Sequence, residues 1–139
     1  MIIPYEPDFE FLSTIYSSDD IQNFRRNKIE REYRFTYMVG YSKGVYLYKK
    51  GEWDKAEKEW LSIFNLASKI TSEKLAIMYH KENRLKDEIK IVKLGIMKAN
   101  KLEFYPSIDN LKKRLARAEK YYERHWHDDV SKGIDPKML

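Results

Sequence analysis

Along residues 8–126 apolar positions recur at helical spacing, and no stretch alternates strictly enough to read as a strand. A short first helix is expected over 8–16, with Phe11, Leu12, Ile15 and Tyr16 on one face. Ser17-Ser18-Asp19-Asp20 then reads as a helix start, because a hydroxyl can cap and two carboxylates favour the positive end of the dipole. The pattern continues to Lys50, with a break expected near Asn27, and Gly51 ends it by admitting the left-handed conformation. Residues 52–68 form the return helix. Another helix covers about 72–82 and stops at Asn83, which also tolerates left-handed geometry, and 85–99 return again. Residues 100–106 form a loop, and Ser107 caps a last helix reaching about Trp126. On that helix Leu111, Leu115, Ala118 and Tyr122 share one face, with Lys113, Arg117, Lys120 and Arg124 opposite. The polar tail 127–139 is expected to fray. The prediction is an all-α chain.

Composition narrows the class. With 139 residues the chain is one domain, large enough to bury a core without metal or disulfide. It has no cysteine, which removes thiol catalysis, thiolate metal sites and disulfides and suits a reducing, cytoplasmic setting. MIIPYEPDFE is acidic where a secretory signal would be basic and then apolar, and no run reaches the ~18 apolar residues of a membrane helix. No membrane association is expected. Residues 1–68 hold 10 Lys and Arg against 11 Asp and Glu, whereas residues 69–139 hold 17 against 11. The net charge of +5 therefore belongs to the second half, either as solvated helix faces or as a surface for an anionic partner.

The segment 44-GVYLYKKGEWDKAEKEW-60 has the spacing of two helices in close contact. Gly44 and Ala56 would be the notches, Leu47 and Trp60 the knobs, and Gly51 the turn. The spacing resembles the tetratricopeptide repeat, whose pattern is W-x2-L-G-x2-Y, A-x3-F and P over about 34 residues. Gly44, Ala56 and Trp60 match the glycine, alanine and aromatic positions, and Leu47 takes the tyrosine slot. Gly40, Lys43 and Ser68 depart from the tryptophan, leucine and proline slots. A weaker copy follows in 72-SEKLAIMYHKENRLKDEIKIVKLG-95, where Leu75, Ala76 and Tyr79 match L-G-x2-Y with alanine for glycine. There Val92 fills the aromatic slot, Glu88 stands where alanine is expected, and Asn100 where proline is expected. The two hairpins span 37–100. The expected architecture is a short α-solenoid, with 8–34 and 107–126 covering its ends.

The resemblance implies a non-catalytic module, an adaptor, assembly factor or regulator, that binds a protein or peptide along the first helix of each hairpin. In this register Tyr41, Val45, Tyr48 and Lys49 face the groove, followed one repeat later by Glu73, Ile77, His80 and Lys81. The two tyrosines would give rigid contact area, and the lysines would meet a carboxylate or phosphate. The co-chaperone branch of the family grips a terminal carboxylate with lysine and asparagine. Here Tyr41 and Val45 take those positions, so that activity is not implied. The alternative for the stripe Tyr33, Tyr37, Tyr41 and Tyr48 is burial against the N-terminal helix, and an exposed stripe could also pair two copies of the chain.

A different class is nucleic-acid binding through Lys112, Lys113, Arg114, Arg117, Lys120 and Arg124, with Tyr121 and Trp126 beside them. His125, His127, Asp128 and Asp129 carry metal-binding side chains, but two histidines two apart lie on different helical faces, and no metal or cofactor is expected. No glycine-rich phosphate loop, nucleophile elbow or HExxH occurs, so the chain does not read as an enzyme. Its small size and its wealth of lysine and tyrosine suit a bacterial or phage regulator.

Overall fold

The computed structural model describes residues 17–99, Glu103 and residues 108–134. The expected 8–16 helix and the Ser107 cap lie outside them. Five α-helices follow in order: α1 (Ser18–Lys49), α2 (Trp53–Ser62), α3 (Ser68–Lys81), α4 (Leu85–Met97) and α5 (Asp109–His125), then a 3-10 turn over Trp126–Asp128. The fold is all-α, with no strand among the described residues. Helix α1 packs on α2, α3 on α4, and α4 on α5, while α2 and α3 touch more lightly.

Three boundaries differ from expectation. Helix α1 is unbroken through Asn27. The 52–68 return helix is shorter: α2 ends at Ser62, and turns over 63–66 and a bend at Ala67 follow. Helix α3 starts at Ser68 rather than near residue 72. The start is supported from far along the chain, since Glu103 is buried and its Oε1 accepts the Lys69 N–H at 2.7 Å. The Ser68 hydroxyl donates to the other oxygen of the same carboxylate at 3.3 Å. A distant carboxylate thus serves the open end of α3, where no local cap bond exists.

The two turns are built alike. After α1, Gly51 takes φ +81°, its N–H donates to the Tyr48 carbonyl at 3.0 Å, and the Glu52 N–H reaches the Leu47 carbonyl at 2.9 Å. After α3, Asn83 takes φ +58°, with its N–H on the His80 carbonyl at 3.1 Å and the Arg84 N–H on the Tyr79 carbonyl at 2.8 Å. Both are Schellman endings, in which a left-handed residue satisfies carbonyls the helix leaves open.

The helix crossings fit notch to knob. A Cβ added at Gly44 would lie 2.2 Å from Trp60 Nε1, so only glycine admits the indole there. Trp60 is 1 % exposed and donates its ring N–H to the Tyr41 carbonyl at 3.2 Å. Burying such a side chain contributes roughly 2–3 kcal/mol. In the first hairpin Gly40 meets Ile63, with Cγ2 2.8 Å from an added Cβ. In the second the small partner is on the other helix, where a Cβ at Gly95 would lie 2.1 Å from Ser72 Oγ. Trp60, Phe64, Leu75, Tyr79, Ile91 and Leu111 join one core across α2 to α5.

Inside this core sits a charged cluster. Arg84 is buried, donates to both oxygens of Glu57 at 3.1 and 3.0 Å and to Asp87 at 2.8 Å, and lies 4.0 Å from the Tyr79 ring centroid. Burial alone would lower the guanidinium pKa, but the two carboxylates outweigh it and hold it above the ordinary value. The Tyr79 hydroxyl donates to Glu57 at 2.6 Å, and burial followed by that carboxylate pushes its pKa well up.

The tail does not fray over 127–134. Asp129 Oδ1 accepts the N–H of Leu85 at 2.8 Å and of Lys86 at 3.3 Å, while Ser131 Oγ accepts that of Asp87 at 3.1 Å. These are the orphan donors at the start of α4, which lacks a local side-chain cap. The segment is fixed further by the Val130 N–H on the Asn83 carbonyl and by Asp87 Oδ2 accepting from Lys132 and Gly133. Ile134 is buried in the main core. A polar composition read as disorder is instead a set of bonds back to the α3–α4 turn.

Candidate functional site

Helices α3 and α5 lie side by side across a gap whose floor is supplied by α4. Glu88 on α4 has a side chain only 4 % exposed, with Oε1 3.0 Å from His80 Nδ1 and Oε2 3.9 Å from Arg114 Nη1. This carboxylate therefore ties one wall to the other. The slot where the repeat pattern expects a small alanine holds an anchor instead.

Two hollows lie along the gap. One, of about 570 Å³, is lined by Glu73 on α3 and by Asn110, Lys113, Arg114, Ala116 and Arg117 on α5. The other, of about 220 Å³, is lined by His80, Glu88, Arg114, Arg117, Ala118 and Tyr121. Arg114 and Arg117 border both. The His80 ring meets Tyr121 edge-on at 4.8 Å, and Tyr121 stacks on His125 at 4.0 Å. Lys113 and Arg117 are exposed and form no ion pair among the described residues. The Glu73 Oε2 is shielded from water and has no hydrogen-bond partner among the described residues.

The residues expected in the groove divide. Tyr41 and Val45 are half-buried and pack against the core. The burial alternative holds for Tyr37, which is wholly buried, but against Ile63 and Ala67 of the α2–α3 connection, where Tyr33 also donates to the Leu66 carbonyl. Tyr48 stacks on Trp53 at 5.0 Å, and its hydroxyl accepts from Lys81 Nζ at 2.7 Å, which joins α1 to α3. Lys49 is exposed, and Ile77 is half-buried on the same α3 face as Glu73 and His80.

On α5, Lys113, Arg117, Lys120 and Arg124 are exposed as expected, whereas Arg114 turns toward Glu88. Members of two sets read separately in the sequence, Glu73 and His80 from one and Lys113, Arg114 and Arg117 from the other, line the same gap, whereas Ile77, Lys81, Lys112, Lys120 and Arg124 do not line its hollows. The sequence offered no direct sign of this, except that Glu88 occupied a slot meant for a small side chain. Tyr121 carried no groove signal. Among the described residues no three His, Asp or Glu side chains converge to hold a metal, and no helix is long and apolar enough to cross a membrane. Comparison with protein-family models, curated proteins and solved structures returns no match.

Proposed function

We propose that the chain is a non-catalytic recognition module of tetratricopeptide-like design, acting as an adaptor, assembly factor or regulator in the cytoplasm. Its partner is a protein or peptide laid along the face made by α1, α3 and α5. The observation that carries this reading is the α3–α5 gap: two hollows that share Arg114 and Arg117, with polar and charged walls, braced from below by Glu88 rather than filled by apolar side chains. The two like-built turns at Gly51 and Asn83 support the repeat reading. So does the close crossing of paired helices at Gly44 and Gly95. The test is selection of binders from a displayed peptide library. Lys113→Glu with Arg117→Glu, both at exposed positions on the hollow, should abolish capture of the selected peptides while leaving circular dichroism and melting near wild type. Binders that are indifferent to both changes would sink the reading.

A second reading is favoured by one observation, the exposed row Lys113, Arg117, Lys120 and Arg124 that ends beside Trp126, itself 61 % exposed. It would bind single-stranded nucleic acid through phosphates and stacking. Lys120→Glu with Arg124→Glu would then weaken oligonucleotide binding and flatten its salt dependence, whereas binding at the gap would respond mainly to His80 and Glu73.

A further inference from the structure

We infer that residues 1–16 dock along the outer face of α1, with Ile3 and Tyr5 on an exposed apolar stripe made by Phe35, Met38 and Val39. The inference concerns the face of α1 turned away from α2 and does not depend on the recognition reading above.

The stripe is the first observation. Phe35, Met38, Val39 and Tyr46 share one side of α1 by their spacing, and all four are exposed. The opposite side carries Tyr33, Tyr37, Gly40 and Gly44, which meet α2 and the α2–α3 connection. Toward the start of α1 the outer face changes character. There Lys28 and Glu32 pair at 3.6 Å, with side chains only 13 % and 18 % exposed. The outer face is thus shielded at this pair and open at Phe35 and beyond.

Chain length is the second. Residues 1–16 lie outside the described residues, and α1 starts at Ser18. A reversal at Ser17 sends them back along α1. The helix expected over 8–16 covers about 13 Å. Pro4 and Pro7 favour extended backbone at Ile3 and Glu6, so residues 1–7 add about 23 Å. Phe35 and Val39 lie about 26 and 32 Å from Ser18 along the helix, so Ile3 arrives beside Met38.

The order of chemistry along the two segments is the third. Counted back from Ser17, the segment presents the acids Glu10, Asp8 and Glu6, then the apolar Tyr5, Ile3 and Ile2, with no Lys or Arg. Counted forward from Ser18, the helix presents Arg25, Lys28 and Arg31, then Phe35, Met38 and Val39. Folded back, acids pass cations and apolar residues meet the stripe. A second copy of the chain fits less well. Antiparallel pairing of Phe35 with Tyr46 sets Arg31 against Lys50, and parallel pairing sets Arg31 against its own copy. Four side chains are also few beside the roughly 20–30 residues a side of a stable interface. A tethered segment needs less contact, because its effective concentration is about millimolar.

The experiment uses the full chain, which has no cysteine, so Val39→Cys supplies a single reporter thiol. Lys58→Cys, at an exposed position on α2, is the reference. Maleimide should label Val39→Cys about tenfold more slowly than Lys58→Cys, at a rate independent of protein concentration. Adding Ile3→Asp and Tyr5→Asp should restore fast labelling, with helical content by circular dichroism near wild type. A chain carrying Ile3→Cys and Val39→Cys together should form an internal disulfide on mild oxidation. Labelling at the reference rate would overturn the inference by showing an open stripe. Slow labelling that persists with Ile3→Asp and Tyr5→Asp would overturn it by assigning the cover to another part of the chain. Protection that grows with protein concentration, with disulfides between chains, would overturn it in favour of a second copy.

Discussion

Single residues in this molecule are decided by contact distance. Gly44 is required because an indole occupies the space a Cβ would need. Gly44→Val should therefore lose about 2–3 kcal/mol, read as a lower urea midpoint, as overpacked cores do. Gly95→Ala meets Ser72 Oγ and, at 3.2 Å, the fixed carbonyl of Ser68. Adding Ser72→Gly should restore part of the lost stability, since contacting residues are coupled. The glycine–tryptophan pair was legible in the sequence because notch and knob stand in one hairpin. Arg84 was not, because Glu57, Asp87 and Gly133 come from three separate segments. Arg84→Met leaves the Glu57 and Asp87 carboxylates without their cation, and chemical denaturation should show a loss of about 3–5 kcal/mol.

Helices show a consistent division between starts and stops. The stops at Gly51 and Asn83 were legible, because a left-handed residue announces itself through its own type. The starts of α3 and α4 were not, because their capping oxygens belong to Glu103, Asp129 and Ser131. Local pattern therefore placed the start of α3 late and misread 129–134 as loose. Asp129→Ala should cost about 1 kcal/mol, the usual worth of a cap. Its acid response has a definite sign. Burial alone would raise the Asp129 pKa, but the Ser131 hydroxyl and the N–H groups of Lys86 and Leu85 outweigh it and hold the value below normal. The carboxylate's contribution is thus fully present above the unfolded value of about 3.9 and lost as pH falls through the lower folded value. The stability gap between wild type and Asp129→Asn should be constant at neutral pH and shrink below about pH 4, as measured by urea titration at each pH.

For the whole molecule, sequence periodicity revealed the all-α class and the helical pairs but not the groove, which forms only when α5 settles beside α3. Glu88 sets that spacing through His80 and Arg114. Glu88→Ala should leave both hollows present but less fixed. Amide exchange in α5 should then rise more than in α1, while exchange concentrated in α1 would contradict the bracing role. The segment after α5 has a separate structural duty. Deleting residues 129–139 removes the α4 cap, the bonds to Asp87 and the buried Ile134 together. A melting temperature lower by roughly 10 °C is expected for such a loss of a few kcal/mol.

The sequence distance between the α3–α4 turn and its fastening segment also matters on the ribosome. Leu85 and Asp129 lie 44 positions apart, so the second hairpin emerges from synthesis well before the groups that complete it. Through that interval Asp87 lacks the Lys132 and Gly133 donors, and α4 begins on bare N–H groups. The first hairpin, closed by Gly51 and locked by Trp60 on Gly44, needs no such wait. Folding during translation should thus proceed in two stages: an early α1–α2 unit that protects its own amides, and a later, abrupt consolidation of α3, α4 and α5 once residue 134 has left the ribosomal tunnel. A nascent chain stalled before residue 129 would expose the second hairpin to proteases and leave the first resistant.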